Sequence, residues 1–317
     1  MLRLSPAGYE PHPELCVVAT YFNALGYQTP RANFLRFLEP LLKGKTQLVV
    51  VEGLHDGVVG LPSALREQVR WVGVPCEGGL WQKERLVNVA IEHVPAACTV
   101  IAWLDGDILF SDPRWMPKTV EAIHDGRRFV QPFDDFIRLP RHPDPGPGMF
   151  TWVGYGYQVA QDPSAAGADW FSHGHTGLAW AGRADLLRAT GLYDRWLAGT
   201  GDHLMAHAMT STTDCPCIAE SLGADSPSHR DFLTWASGWA CSDQRAVGCL
   251  DGAIFHLWHG EYGNRLYRER EAELRELDFD PRADLHLTAA GALRLRSDRA
   301  DLDAWANVYM SARREDG

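Results

Sequence analysis

Along the first hundred positions, apolar residues fall in short continuous runs separated by stretches with helical spacing. Residues 15–19 are one such run. It ends at the polar corner Thr20, Tyr21, Phe22, Asn23 and predicts a parallel strand buried on both faces. Apolar residues at 34, 35, 37, 38, 41 and 42 mark one face of a helix over 33–42. A second strand is predicted over 47–51, ending at Glu52. A helix follows over 81–93, with Leu86, Val89, Ala90 and Val94 at helical spacing. Residues 99–104 predict a third strand that runs directly into Asp105-Gly106-Asp107. Strand, helix, strand, helix, strand predicts an α/β fold built on a doubly wound, mostly parallel sheet, whose ligands sit at the carboxyl ends of the strands. Asn23, Glu52 and Asp105 all lie at such ends and are expected to converge on one site.

The second half is less regular. Residues 140–148 are too rich in Pro and Gly for regular structure and read as a loop. Short helices are expected over 184–190 and 203–209, a late strand over 253–259 and a charged helix over 265–277. From about residue 279 the composition changes. A last helix over 302–313 is expected to pack as a C-terminal helical extension of the same domain.

The 317 residues suit one large domain or one domain with an appendage. With 45% hydrophobic and 22% charged residues, a fully disordered or fibrous chain is excluded. Lys plus Arg number 30 against 41 Asp plus Glu, a net charge of −11, so there is no chain-wide positive field for nucleic acid or an anionic membrane. A local basic groove stays open. No apolar run approaches the ~18–20 residues of a membrane span. The first 13 residues lack a charged region followed by an apolar stretch. Seven cysteines without regular spacing do not form a disulfide framework. A soluble, cytoplasmic protein is the expectation. The 12 Trp residues stand out, because an indole offers a flat apolar face for stacking on sugar rings, although most are expected in the core.

Four segments carry chemistry. Asp105 and Asp107, one residue apart at a strand exit, can share a divalent ion such as Mg²⁺ or Mn²⁺ while positions stay open for phosphate oxygens. Upstream, Lys83 offers phosphate a point charge and Arg85 a planar fork. The third segment holds Gly177 to Gly182, then Gly191 to Asp194, then Gly199-Thr200-Gly201-Asp202-His203. Its glycines permit close backbone approach, and Asp202 suits either a helix N-cap or a general base beside an acceptor hydroxyl. The fourth is His256-Leu257-Trp258-His259, where an imidazole can complete the shell of a metal held by Asp107.

Taken in this order, the four segments resemble the GT-A-fold glycosyltransferases, closest to the galactosyltransferase and polypeptide N-acetylgalactosaminyltransferase branch with its bacterial and phage relatives. The resemblance runs from about residue 15 to 270. It implies a GT-A domain over 1–270, with a nucleotide-sugar half to about 115 and an acceptor half over about 116–270. Residues 271–317 then form an extension packed on it. It also implies a UDP-sugar donor held by Thr20, Tyr21, Asn23, Glu52, Gln82, Lys83, Arg85 and Asp105, and a Mn²⁺ or Mg²⁺ ion held by Asp105, Asp107 and His256, with His259 as the substitute. Asp202 becomes the catalytic base, with inversion at the anomeric carbon as the expected outcome in a family that holds both inverting and retaining members. Trp180, Gly201, His203 and His259 fall on the acceptor side, flanked by Trp152, Tyr155, Trp170, His173 and His175. One departure is visible: where the family carries Trp-Gly-Gly-Glu followed by Asp or Asn, this chain reads Ala198-Gly199-Thr200-Gly201-Asp202-His203.

The acceptor implied is a surface polysaccharide or lipid-linked glycan. A hydroxymethylated base in phage-type DNA is the alternative, with the arginines at 127–128, 138–141 and 294–299 as a local track, and such a base would have to be flipped out of the duplex. Two rivals come from other classes. A metal hydrolase draws on 13 His, with His203 and His207 at the spacing of a helical zinc pair and His173 near His175, but no Glu follows His203 as in metalloproteases. Cys215-Pro216-Cys217 is too tight for a zinc knuckle and reads as a loop. A non-catalytic sugar-binding module would keep the Trp residues and dispense with Asp202.

Overall fold

The computed structural model describes residues 8–141, 150–168, 170, 172–241, 243 and 245–317. The expected loop at 140–148 lies outside these residues from 142 on. Among the described residues, eleven strands make the two larger sheets: β1 (Leu15–Tyr21), β2 (Gln47–His55), β3 (Arg70–Cys76), β4 (Val100–Leu104), β5 (Ile108–Phe110), β6 (Phe129–Gln131), β7 (Asp135–Arg138), β8 (Phe150–Val153), β9 (Ala179–Arg183), β10 (Val247–Cys249) and β11 (Ala253–His256). The larger sheet has the order β10-β6-β9-β4-β1-β2-β3, and the smaller β5-β11-β7-β8. A hairpin of Leu285–Leu287 and Leu293–Leu295 stands apart in the C-terminal part. In the larger sheet β4, β1, β2 and β3 run parallel, and β9 is antiparallel to both β4 and β6.

The alternation along β1 explains the layers. Cys16 and Val18 face one core with Leu86, Val89 and Ala90 of helix Lys83–Glu92. Leu15, Val17 and Ala19 face a second core with Phe34, Phe37, Leu38 and Leu41 of helix Gln28–Lys43. A strand covered by helices on both sides has no polar face, which is why its sequence is a continuous apolar run. The fold is the α/β, doubly wound, mostly parallel one that the pattern predicts.

Two elements depart from expectation. β3 was not anticipated, because Gly73 and Pro75 interrupt it. It lies at the edge of the sheet, where a proline's missing N–H is tolerated. The Cys215–Cys217 segment is not a loop: Cys215 precedes helix Pro216–Leu222 and Cys217 lies in its first turn. Most indoles are core, as expected: Trp103, Trp115, Trp180, Trp196, Trp235, Trp239 and Trp305 are buried. Among the described residues, no helix is long and apolar enough to cross a membrane.

Candidate active site

At the carboxyl end of β4 the chain crosses from the larger sheet to the smaller one through Asp105-Gly106-Asp107 and enters β5. Glycine is required at the centre of this turn: a Cβ there would lie 2.4 Å from the Phe34 ring. The Asp105 amide donates to the Leu178 carbonyl at 2.8 Å, tying the turn to the segment before β9. β5 pairs antiparallel with β11 in a register that sets Ile108 opposite His256. The Leu257 amide then donates to the Asp107 carbonyl at 2.8 Å. This pairing brings the late histidines to the acidic turn.

Three donor groups meet there. Asp107 Oδ2 lies 3.0 Å from His259 Nε2 and 3.6 Å from His256 Nε2. The two Nε2 atoms are 3.0 Å apart. The second carboxylate oxygen of Asp107 is buried with no hydrogen-bond partner. Burial alone would raise the Asp107 pKa, but His259 and His256 override it and hold the carboxyl well below its ordinary range. Burial pushes His256 down, and Asp107 opposes that. A buried, unsatisfied carboxylate oxygen beside two imidazoles is a donor set for a divalent cation.

Next to it stands a lysine between two carboxylates. Lys83 opens helix Lys83–Glu92, and its ammonium lies 2.6 Å from Asp105 Oδ1 and 2.8 Å from Asp202 Oδ2. Burial works to lower the Lys83 pKa, but Asp105 and Asp202 outweigh it and hold the ammonium well above its usual range. Burial raises Asp105 from 3.8 to about 6, although Lys83 opposes the rise. Glu84, accepting from Trp81 Nε1 at 2.8 Å, is raised to about 7, again by burial first. Asp202 is in the first turn of helix Gly201–Met209 behind the N-cap Thr200, and its carboxylate bonds Lys83.

These groups line a cavity of about 770 Å³ at the carboxyl ends of the strands. Thr20, Tyr21, Lys83, Asp105, Asp107, Asp202, His203, His256 and His259 all face it, as do Trp152, Trp170, His173 and His175 on the acceptor side. Burial takes His175 down to about 3. Tyr155 is instead fully buried, bonded to Thr210 at 2.8 Å.

Several expected donor contacts are engaged inside the protein instead. Glu52 is buried and accepts from the Gly60 and Leu61 amides and from Trp71 Nε1. Gln82 exchanges two hydrogen bonds with the backbone of Leu293. Arg85 pairs with Asp194 at 3.0 Å, and Asn88 joins the same carboxylate. Asn23 bonds the Tyr21 hydroxyl and the Tyr27 backbone. Trp180 is a core residue, its indole N–H donating to Thr176, and Gly201 packs against Glu84. Of the three strand-end corners, Asp105 and the start of the Thr20 corner reach the cavity, whereas Asn23 and Glu52 brace the loops behind it.

The tail also contributes to the wall, which its composition did not indicate. Arg313 lies over the Trp81 ring at 5.0 Å, and Glu315 accepts from Arg313 at 2.7 Å and from Arg265 at 3.2 Å. Burial would raise the Glu315 pKa, but Arg313, His259 and Arg265 bring it down to about 2. Its carboxylate lies 3.5 Å from His259 Nδ1, which links the end of the chain to the metal-type cluster. The only sequence signal was a charged run after an amphipathic helix.

No family model and no curated protein matches the chain. Solved structures that superpose on it include Staphylococcus aureus TarS 1–349, at 9% identity over 84% of this chain and 65% of that one, with a TM-score of 0.44. For a longer TarS structure the values are 12%, 63%, 34% and 0.41, so the chain spans between about a third and two thirds of these TarS chains. Glucosyl-3-phosphoglycerate synthase from Mycobacterium tuberculosis, in complex with Mn²⁺, UDP and phosphoglyceric acid, superposes at 14% identity over 91% of this chain and 87% of that one, with a TM-score of 0.42. Likenesses this distant do not decide the chemistry, which rests on the cavity and its side chains.

Proposed function

We propose that this chain is a metal-dependent glycosyltransferase of the GT-A type, moving a sugar from a nucleoside diphosphate sugar, UDP-linked, to an acceptor hydroxyl with inversion. The observation that carries the reading is one cavity in which Asp105-Gly106-Asp107, two histidines, a lysine and the Asp202 carboxylate converge. Asp107, His256 and His259 fit a divalent ion, since a carboxylate oxygen of Asp107 and one nitrogen of each imidazole lie within 4.8 Å of one another, and Asp107 keeps a second oxygen without a hydrogen-bond partner. Imidazole nitrogens in the set favour Mn²⁺ over Mg²⁺, which prefers oxygen ligands alone. Bound there, the ion supplies positive charge to a departing diphosphate.

The chain's own groups do the rest. Lys83 presents its ammonium to phosphate oxygens, and Asp105 holds that ammonium in place. Thr20 and Tyr21, at the end of β1, face the nucleotide. Trp152 and Trp170 offer apolar faces to an acceptor sugar. Asp202 takes the proton of the acceptor hydroxyl as it attacks the anomeric carbon, a single displacement related to inverting glycoside hydrolysis with the acceptor in place of water. A glycan acceptor is preferred over DNA because most arginines of the basic segments are engaged within the protein; Arg141 stacks on Trp258, while Arg138 lines the cavity over the Tyr262 ring. Arg127 and Arg128 donate to the backbone at 239, 240, 245 and 247, Arg294 pairs with Glu77, and Arg299 with Asp284 and Asp301.

The test is sugar release from a panel of nucleoside diphosphate sugars with and without Mn²⁺, with and without glycan acceptors. Mn²⁺-dependent turnover of one donor, stimulated by an acceptor, supports the reading. Absence of turnover with every donor and acceptor, while a glycan still binds, would favour a sugar-binding module instead.

A further inference from the structure

At the acceptor wall, where His173 and His203 line the cavity with His207 and Cys217 packed behind them, four side chains meet in a grouping that the transferase chemistry does not require. His173 precedes β9 in the chain. His203 and His207 stand one turn apart on helix Gly201–Met209, and Cys217 is in the first turn of helix Pro216–Leu222. One donor atom from each lies within 4.8 Å of all the others. All four are buried, at 2%, 2%, 0% and 6% exposure. The helical pair was visible in the sequence, but its partners come from 30 residues before His203 and 10 after His207.

The hydrogen bonds around the cluster orient lone pairs inward. Thr212 Oγ1 donates to the Ala166 carbonyl and so accepts from His207 Nδ1 at 2.9 Å. That leaves the His207 Nε2 lone pair facing Cys217 Sγ at 3.3 Å. His173 Nδ1 donates to the Gly174 carbonyl at 2.9 Å, which fixes the tautomer with its lone pair on Nε2. His203 has neither ring nitrogen hydrogen-bonded, although its side chain is buried. Leaving a buried imidazole so unsatisfied is costly, and a metal ion satisfies it. Bonds of about 2.0–2.3 Å to a tetrahedral ion place its donors about 3.3–3.7 Å apart, the spacing already present between His207 and Cys217.

We infer that His173, His203, His207 and Cys217 form a structural Zn²⁺ site. Three imidazoles and one thiolate close a tetrahedral shell with no open position, the mark of a structural rather than a catalytic zinc, and soft N/S donors select zinc over Mg²⁺ or Mn²⁺. Cys217 gives up its proton on binding. Cys215, whose Sγ lies 2.6 Å from that of Cys217 and 3.6 Å from the Ala168 carbonyl, sits beside the thiolate as an outer neighbour. The ion joins three chain segments, one of them the helix whose first turn carries Asp202. It acts as a positioning element for the acceptor wall and stands independently of the transferase reading.

The full-length protein, purified without chelator or added metal, is analysed for bound metals and then exchanged into Co²⁺. Stoichiometric zinc is expected, lost in Cys217→Ser and in His207→Ala but retained in Asp107→Asn. The cobalt form should show the intense visible bands of tetrahedral Co²⁺ and a thiolate-to-cobalt charge-transfer band, which the sulfur-free Asp107 cluster cannot produce. If the variants do not fold, the wild-type cobalt spectrum alone decides the ligand set. The proposal is overturned if the wild type holds no stoichiometric metal, if copper or iron fills the site, or if the charge-transfer band is missing. A Cys215–Cys217 disulfide found by mass overturns it as well.

Discussion

Neutralising Asp105 should stabilise the metal-free protein while disabling it. Burial holds the folded pKa of Asp105 at about 6 against an ordinary 3.8, despite the ammonium of Lys83. A folded pKa above the unfolded one means the native state holds the proton more tightly. Stability is therefore full below about 3.8, falls as pH rises, and has lost the whole increment above about 6. At 1.36 kcal/mol per pH unit, the gap corresponds to about 3 kcal/mol at pH 8. Asp105→Asn mimics the protonated form and removes the loss. For a chain of this length that is a rise in Tm of roughly 4–5 °C at pH 8, shrinking toward zero near pH 4. The assay is thermal unfolding of wild type and variant in chelator across pH 4–8, with sugar transfer measured in parallel. A lower Tm for Asp105→Asn at pH 8, or an unchanged pH slope, would refute the reasoning. The expected pairing of higher stability with lost activity is the trade-off between stability and function that a site of buried, clustered carboxylates predicts.

Other substitutions separate the roles of neighbouring groups. Asp202→Asn should cut transfer by ~10²–10⁴ while nucleotide binding persists, and unchanged turnover would remove Asp202 from the mechanism. Lys83→Met leaves Asp105 and Asp202 facing each other without their shared cation. It should cost about 3–5 kcal/mol in the metal-free protein at pH 8 and weaken donor binding, both read by denaturant unfolding and calorimetry. Gly199 has φ +69°, and a Cβ there would meet the Tyr309 hydroxyl at 2.8 Å. Gly199→Ala should therefore cost more than about 1 kcal/mol, and a neutral effect in denaturant melts would show that the Asp202 loop is looser than described.

The legible part of this molecule is the part governed by local pattern. β1 and β4 are continuous apolar runs because both faces are buried, and Asp105 and Asp107 announce themselves by following such a run. What local pattern could not show is how a polar group is satisfied. Glu52, Gln82 and Arg85 sit at the expected strand end and helix start, yet each is matched inside the protein: Glu52 by the Gly60 and Leu61 amides of the following loop, Gln82 and Arg85 by Leu293 and Asp194 far along the chain. Groupings across long separations were equally hidden. His203 and His207 suggested a ligand pair, but only the packing of two helices brings Cys217 to them, and the short Cys215–Cys217 spacing pointed to a loop. Arg313 and Glu315 reach the cavity only because the last helix, Ala300–Ala312, packs beside Trp81.

The most direct test is calorimetric titration of nucleoside diphosphates, UDP first, into the protein with and without Mn²⁺, repeated on Asp107→Ala. The expected result is binding of one nucleoside diphosphate that requires the metal and disappears in the variant. Binding that ignores both the metal and the loss of Asp107, or no binding by any nucleotide, would contradict a metal-dependent nucleotide-sugar site at the end of β4.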